Sequence, residues 1–202
     1  MVAPVAPGQD RKHGNIKLID MRILLLGGQS PRHRDWARRF AAALQARGHR
    51  TDVLEYANWL AGTPVTDFAG ELDRAVARQP SGPYLIAAKS IGTLLTLTGV
   101  ARGRLHPAGA LLLGFPLRGI PDIAGVDPVE IARGWRRLPP TVLVQNQLDP
   151  WGAAGAVRDA VAGLAEVDLR VRPGDRTHDY VDFPALGDLV DALAAGGDPT
   201  TS

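Results

Sequence analysis

Short apolar runs alternate with amphipathic stretches along this chain. Arg22 to Leu26 (RILLL) is apolar after its first residue and stops at Gly27-Gly28, the pattern of a strand covered on both faces. Thr51 to Tyr56, Tyr84 to Ala88, Gly109 to Leu113, Thr141 to Gln145 and Val167 to Val171 supply five more strands. Between them the period lengthens. His33 to Arg47 places Trp36, Phe40 and Leu44 four residues apart and meets Gly48, a helix with a glycine stop. Asp67 to Gln79 repeats that spacing through Phe68, Leu72 and Val76. The long apolar run opening at Ser90-Ile91-Gly92 suits a buried helix. Asp127-Pro128-Val129-Glu130 starts another, with an N-cap, proline at the first position and an acid placed for a capping box. That helix runs to about Arg137, and Ala153 to Leu164 and Phe183 to Leu193 complete the set.

Six strands alternating with helices imply an α/β fold: a three-layer α/β/α sandwich around a mainly parallel sheet. Chemistry in such sheets gathers beyond the carboxyl ends of the strands. A chain of 202 residues suits one domain, expected here over 21–195 between flexible tails at 1–20 and 196–202. In the first tail the charged cluster Asp10, Arg11, Lys12 follows the weak apolar segment, whereas a signal peptide puts its positive region first. No apolar stretch approaches the roughly 20 residues of a membrane span, so a cytoplasmic protein is expected. A net charge of +2 gives no footprint for a nucleic-acid partner. The absence of cysteine excludes disulfides, thiolate catalysis and thiolate metal sites. His13, His33, His49 and His106 are scattered without metal-ligand spacing, and neither metal nor cofactor is expected.

The candidate chemistry starts at Ala88-Lys89-Ser90-Ile91-Gly92. A serine where strand turns directly into helix, with small residues two before and two after, is the pattern of a nucleophile elbow. Taken alone, the same serine could cap a buried helix. Asp149-Pro150 could likewise cap a helix near Trp151, and His178 could be an ordinary loop histidine. Their arrangement separates these readings. Ser90 follows the third strand, Asp149 the fifth and His178 the sixth, so all three fall at one edge of the sheet in the order Ser, Asp, His.

On the segments LLLGGQS, AAKSIGT, VLVQNQLDPWG and RPGDRTHDY, the chain resembles the α/β-hydrolase superfamily from about Arg22 to Leu193. It looks most like small, nearly lidless, dienelactone-hydrolase-like bacterial members. The resemblance implies a minimal α/β-hydrolase fold with Ser90 as nucleophile, His178 as general base then acid, and Asp149 as the orienting carboxylate. It also implies an oxyanion hole from the backbone N–H groups of Ile91 and Gln29, with Ser30 in reserve. Ala88 and Gly27 depart from the family, which usually has glycine and often histidine there. The segment from Phe115 to Pro140 has room for one short helix and none for a large cap. Phe115, Pro116, Leu117, Ile120, Ile123 and Trp151 are therefore expected to wall an open pocket, with Ser30 beside them. The activity implied is hydrolysis of small-molecule carboxylic esters, thioesters or amides without a cofactor.

Two other readings remain at this point. One is an inactive interaction protein on the same fold. The other is a flavodoxin-like nucleotide binder using Gly27 to Ser30, although Gly-x-Gly-x-x-Gly and a Walker lysine are absent. Asp175 and Asp179 read as surface residues. Arg32, Arg34, Arg38 and Arg39 read as a solvated face, and Lys89 as pointing to solvent. His33 reads as a solvated helix start, with the pocket as its other possible place.

Overall fold

The computed structural model describes residues 20–63 and 66–196, so the expected tails lie outside it except for Asp20 and Gly196. Six strands form one sheet: β1 (Arg22–Leu26), β2 (Arg50–Leu54), β3 (Tyr84–Lys89), β4 (Gly109–Leu113), β5 (Thr141–Asn146) and β6 (Val167–Arg172). Their order is β2-β1-β3-β4-β5-β6 and every neighbouring pair is parallel. The four inner strands carry unbroken apolar runs because both their faces are covered. The edges β2 and β6 are only half-buried, and there Asp52, Asp168 and Arg170 interrupt the apolar pattern.

Among the described residues seven helices flank the sheet: α1 (His33–Ala46), α2 (Ala57–Ala61), α3 (Phe68–Arg78), α4 (Ile91–Ala101), α5 (Pro128–Trp135), α6 (Ala154–Val161) and α7 (Phe183–Ala194). The chain moves outward from β1 to β2, then crosses back past β1 to β3. Right-handed crossovers therefore place α1 on one face and the helices between β2 and β5 on the other. The contacts agree: α7 packs against α1, while α4 packs between α3 and α5. Every residue of α4 is buried, which explains an apolar run without amphipathic period. At the far end of α1, Arg47 bonds Asp191 and Asp188, and buried His49 bonds Asp191 at 2.7 Å, fastening α1 to α7.

Two short elements were not expected from the pattern: α2 and a 3-10 turn over Leu117–Asp122. Asp127 does cap α5, accepting the Val129 N–H at 2.8 Å. The expected capping box does not form, because Glu130 turns outward to Arg102 at 2.8 Å. Among the described residues no helix is long and apolar enough to cross a membrane. The reversal of direction between β2 and β3 leaves a crevice at the carboxyl ends of β1 and β3, the place where open α/β sheets bind ligands.

Candidate active site

Ser90 stands at that crevice with φ 54° and ψ −120°. It is the one non-glycine residue of positive φ among the described residues, a conformation that costs energy and persists only where the surroundings hold it. Its N–H donates to Leu113 O at 2.9 Å, so β4 carries the corner. The start of α4 presses on the end of β1: a Cβ on Gly92 would lie 2.5 Å from Leu26 O. Ala88 takes the other small position with its methyl fully buried. Ser90 makes no side-chain capping bond, so its hydroxyl is not used to start the helix.

Asp149 is 1% exposed and fully bonded. Its Oδ2 accepts from His178 Nδ1 at 2.7 Å and from the Tyr180 hydroxyl at 2.9 Å. Its Oδ1 accepts the Trp151 N–H at 2.9 Å, so the local turn and the contact to histidine use different oxygens. The Tyr180 hydroxyl in turn accepts the Asn146 N–H at 3.0 Å. Burial, reinforced by the Asp149 charge, pushes the Tyr180 phenol pKa upward and keeps it a donor. A neutral imidazole that donates from Nδ1 presents Nε2 as an acceptor. Nε2 of His178 is buried and has no partner among the described residues.

Ser90 and His178 line one cavity of about 810 Å³, together with Ile91, Gln29, Ser30 and His33. No hydrogen bond joins Ser90 to His178; such bonds are often long in unliganded enzymes and tighten in the substrate complex. Pro116, Ile123, Ala124 and the half-exposed Trp151 form the apolar side. Phe115 does not line the cavity as expected. It is fully buried and packs edge-on against Trp135, ring centroids 5.0 Å apart, with its N–H held by Gln145 Oε1 at 2.8 Å. Leu117 and Ile120 are not part of the lining either.

The turn from Gly27 to Ser30 is held by side chains that the sequence reading passed over. The Tyr56 hydroxyl donates to Gly27 O at 2.9 Å, Trp59 Nε1 to Gly28 O at 3.1 Å and Asn58 Nδ2 to Gln29 O at 2.8 Å. In a trans peptide the N–H points opposite to the carbonyl. Pinning three successive carbonyls therefore sets the direction of the next three N–H groups. Gly27 and Gly28 allow the close approach: a Cβ would collide with Trp59 at one and with His33 at the other. The available signal was the polar-aromatic cluster Tyr56-Ala57-Asn58-Trp59, at the carboxyl end of a strand.

Lys89 overturns the expectation of a solvent-facing side chain. It is 1% exposed, and its Nζ donates to His33 Nε2 at 3.0 Å while lying 5.5 Å from the centre of the Trp36 ring. The α1 side chains His33 and Trp36 meet it there in place of water. Burial lowers the Lys89 pKa to about 8, against the opposing pull of Asp179 and Asp149. His33, expected at a solvated helix start, instead lines the cavity. Burial first, then the charges of Lys89 and His178, push it down to about 4.

The remaining candidates lie outside the His178 contacts. Asp175 accepts from the Thr177 N–H at 2.8 Å, and Asp179 is exposed at the cavity edge. Arg34 and Arg38 are not simply solvated, since both bind Glu55, at 2.8 and 2.5 Å. Among the described residues no group of three or more acids and histidines is arranged to hold a metal ion.

No family model matches the chain, and no curated protein matches it. Solved structures do. A cold-adapted esterase from an Arctic intertidal metagenomic library, solved with zinc bound, is 21% identical with a TM-score of 0.58, covering 87% of this chain and 82% of that one. A lidless α/β serine hydrolase from Xanthomonas campestris is 23% identical with a TM-score of 0.58, covering 87% and 80%. The mouse α/β hydrolase domain-containing protein 10 is 14% identical with a TM-score of 0.65, covering 87% and 90%. At these identities the likeness is one of fold.

Proposed function

We propose that this chain, which has the α/β-hydrolase fold, is a cofactor-independent serine hydrolase of carboxylic esters, with thioesters and amides as chemically related substrates. One observation carries the reading: the Asp149–His178 pair presents a buried Nε2, unpartnered among the described residues, to the cavity that holds Ser90 on its strained corner.

Ser90 Oγ attacks the substrate carbonyl carbon while His178 Nε2 takes its proton. Asp149 holds the tautomer and stabilises the imidazolium. The carbonyl oxygen, now negative, is met by the Ile91 N–H at the start of α4 and by the Gln29 N–H of the pinned turn; each such donor contributes on the order of 2.7–4 kcal/mol. The intermediate collapses as His178 gives the proton to the departing alkoxide, leaving Ser90 acylated. Water then repeats the sequence and releases the acid. The half-open cavity and its apolar side at Trp151 and Ile123 suit a small or extended acyl group.

A chromogenic ester series of increasing acyl length tests this reading. Wild type should hydrolyse at least one member with saturation kinetics, and Ser90→Ala should lose that activity. Turnover surviving undiminished in Ser90→Ala would refute the assignment.

A further inference from the structure

Lys89 is the buried group that this mechanism leaves unused. Among the described residues no carboxylate forms an ion pair with its ammonium; Asp149 and Asp179 act on it only from farther off. Its one hydrogen-bond partner is an imidazole, and its other neighbour is the face of Trp36. A buried ammonium without a paired charge opposes folding, so stability does not account for its presence. Its location is informative. Lys89 immediately precedes Ser90, while His33 follows the Gly27–Ser30 turn, to which its own N–H is bonded through Ser30 O at 2.8 Å. The imidazole also lies against Gly28, where any Cβ would strike Nδ1. The Lys89–His33 bond therefore joins the two segments that carry the oxyanion donors.

Building on the proposed hydrolase reading, we propose that Lys89 and His33 are a positioning pair that holds the oxyanion turn against the nucleophile elbow, and that turnover requires the ammonium form of Lys89. An ammonium can only donate, so His33 must offer Nε2 as a bare acceptor, and a neutral His33 does so at any pH well above about 4. The groups facing the pair are Arg32 and Trp36 from the α1 side, Asp149 after β5, and His178 and Asp179 after β6. Loss of the Lys89 proton, centred near pH 8, weakens the bond to His33 and removes a positive charge beside the oxyanion site.

The test is kcat and KM from pH 6 to 10 for wild type, Lys89→Met, His33→Leu and His33→Gln. Wild-type kcat should fall above about pH 8 with KM little changed. In Lys89→Met, kcat should drop roughly 10–100-fold, the scale of a small misplacement of catalytic groups, and that alkaline fall should vanish. His33→Leu should share the loss, and His33→Gln, which keeps an acceptor, should recover most of it. The thermal midpoint of Lys89→Met at pH 7 should equal or exceed that of wild type. Wild-type kcat in Lys89→Met, or an unchanged alkaline fall, overturns the pair. A lowered midpoint with no rescue by glutamine assigns a packing role and overturns it too. If wild type shows no Ser90-dependent turnover, the hydrolase reading fails by itself. The pair is then judged by ¹⁵N shifts: an acceptor Nε2 on His33 in wild type, lost in Lys89→Met, upholds the contact, and its absence in wild type overturns it.

Discussion

The two sides of the cavity are ordered by opposite means. After β5 and β6, the side chains of Asp149, His178 and Tyr180 hold one another around one carboxylate, and the backbone N–H of Asn146 donates to the Tyr180 hydroxyl. After β1 and β3, it is the backbone that is held: the side chains of Tyr56, Asn58 and Trp59 grip carbonyls of the turn, and the Leu113 carbonyl of β4 accepts the Ser90 N–H. In the proposed mechanism the first side handles a proton and the second aims dipoles. Damage to the first should therefore alter the chemistry itself, while damage to the second should alter how well the transition state is met, with substrate binding spared. Trp36 bridges the two, donating to Tyr180 O at 2.7 Å while its ring faces the Lys89 ammonium.

The largest expected effect comes from breaking the proton path. Ser90→Ala and His178→Ala should each lower kcat by roughly 10⁴–10⁶-fold, and the double variant should be scarcely worse than either, because groups acting as one unit are not additive. Steady-state kinetics on the three variants checks this; additive losses would separate the two residues. On the other side, Asn58→Ala leaves the Gln29 carbonyl only the longer bond from Trp59 Nε1, 3.3 Å, and so loosens the turn that carries the Gln29 and Ser30 N–H groups. A kcat loss of roughly 10–100-fold at nearly constant KM is expected, since oxyanion donors act in the transition state. A rise in KM alone would move Asn58 from aiming donors to binding substrate.

Smaller effects sharpen the contrast. Tyr180→Phe leaves the Asn146 N–H buried without its acceptor and removes one of two bonds to Asp149 Oδ2. Denaturant titration should show a loss of about 1–3 kcal/mol, with kcat affected less than by Asn58→Ala. Glu130→Ala lies on neither side and removes only the partly exposed pair with Arg102. Its cost should stay within about 1 kcal/mol, with kinetics unchanged.

The sheet was legible because inner strands are covered twice and read as unbroken apolar runs, and α4 because burial all round removes its period. The placement of Ser90, Asp149 and His178 followed from one rule, that loops after parallel strands meet at one edge. What escaped depends on tertiary placement. Lys89 looks like any charged residue along the chain; only the approach of His33 and Trp36, both on α1, shows where its buried ammonium goes. Phe115 looked like pocket lining because it follows β4, yet the turn at Gly114 (φ 61°) precedes its descent onto Trp135. The five-residue α2 is too short to declare a period, although it carries the bonds that hold the turn. Sequence pattern locates atoms that move protons more readily than side chains whose task is to hold a backbone still.

The central claim is that an imidazole paired with Asp149 makes Ser90 nucleophilic. Intact-mass measurement after brief exposure to a fluorophosphonate tests it most directly. Wild type should gain a single adduct that peptide mapping places on Ser90, His178→Ala should gain it far more slowly, and Ser90→Ala should gain none. An unmodified wild type, or an adduct that persists in Ser90→Ala, would contradict the account.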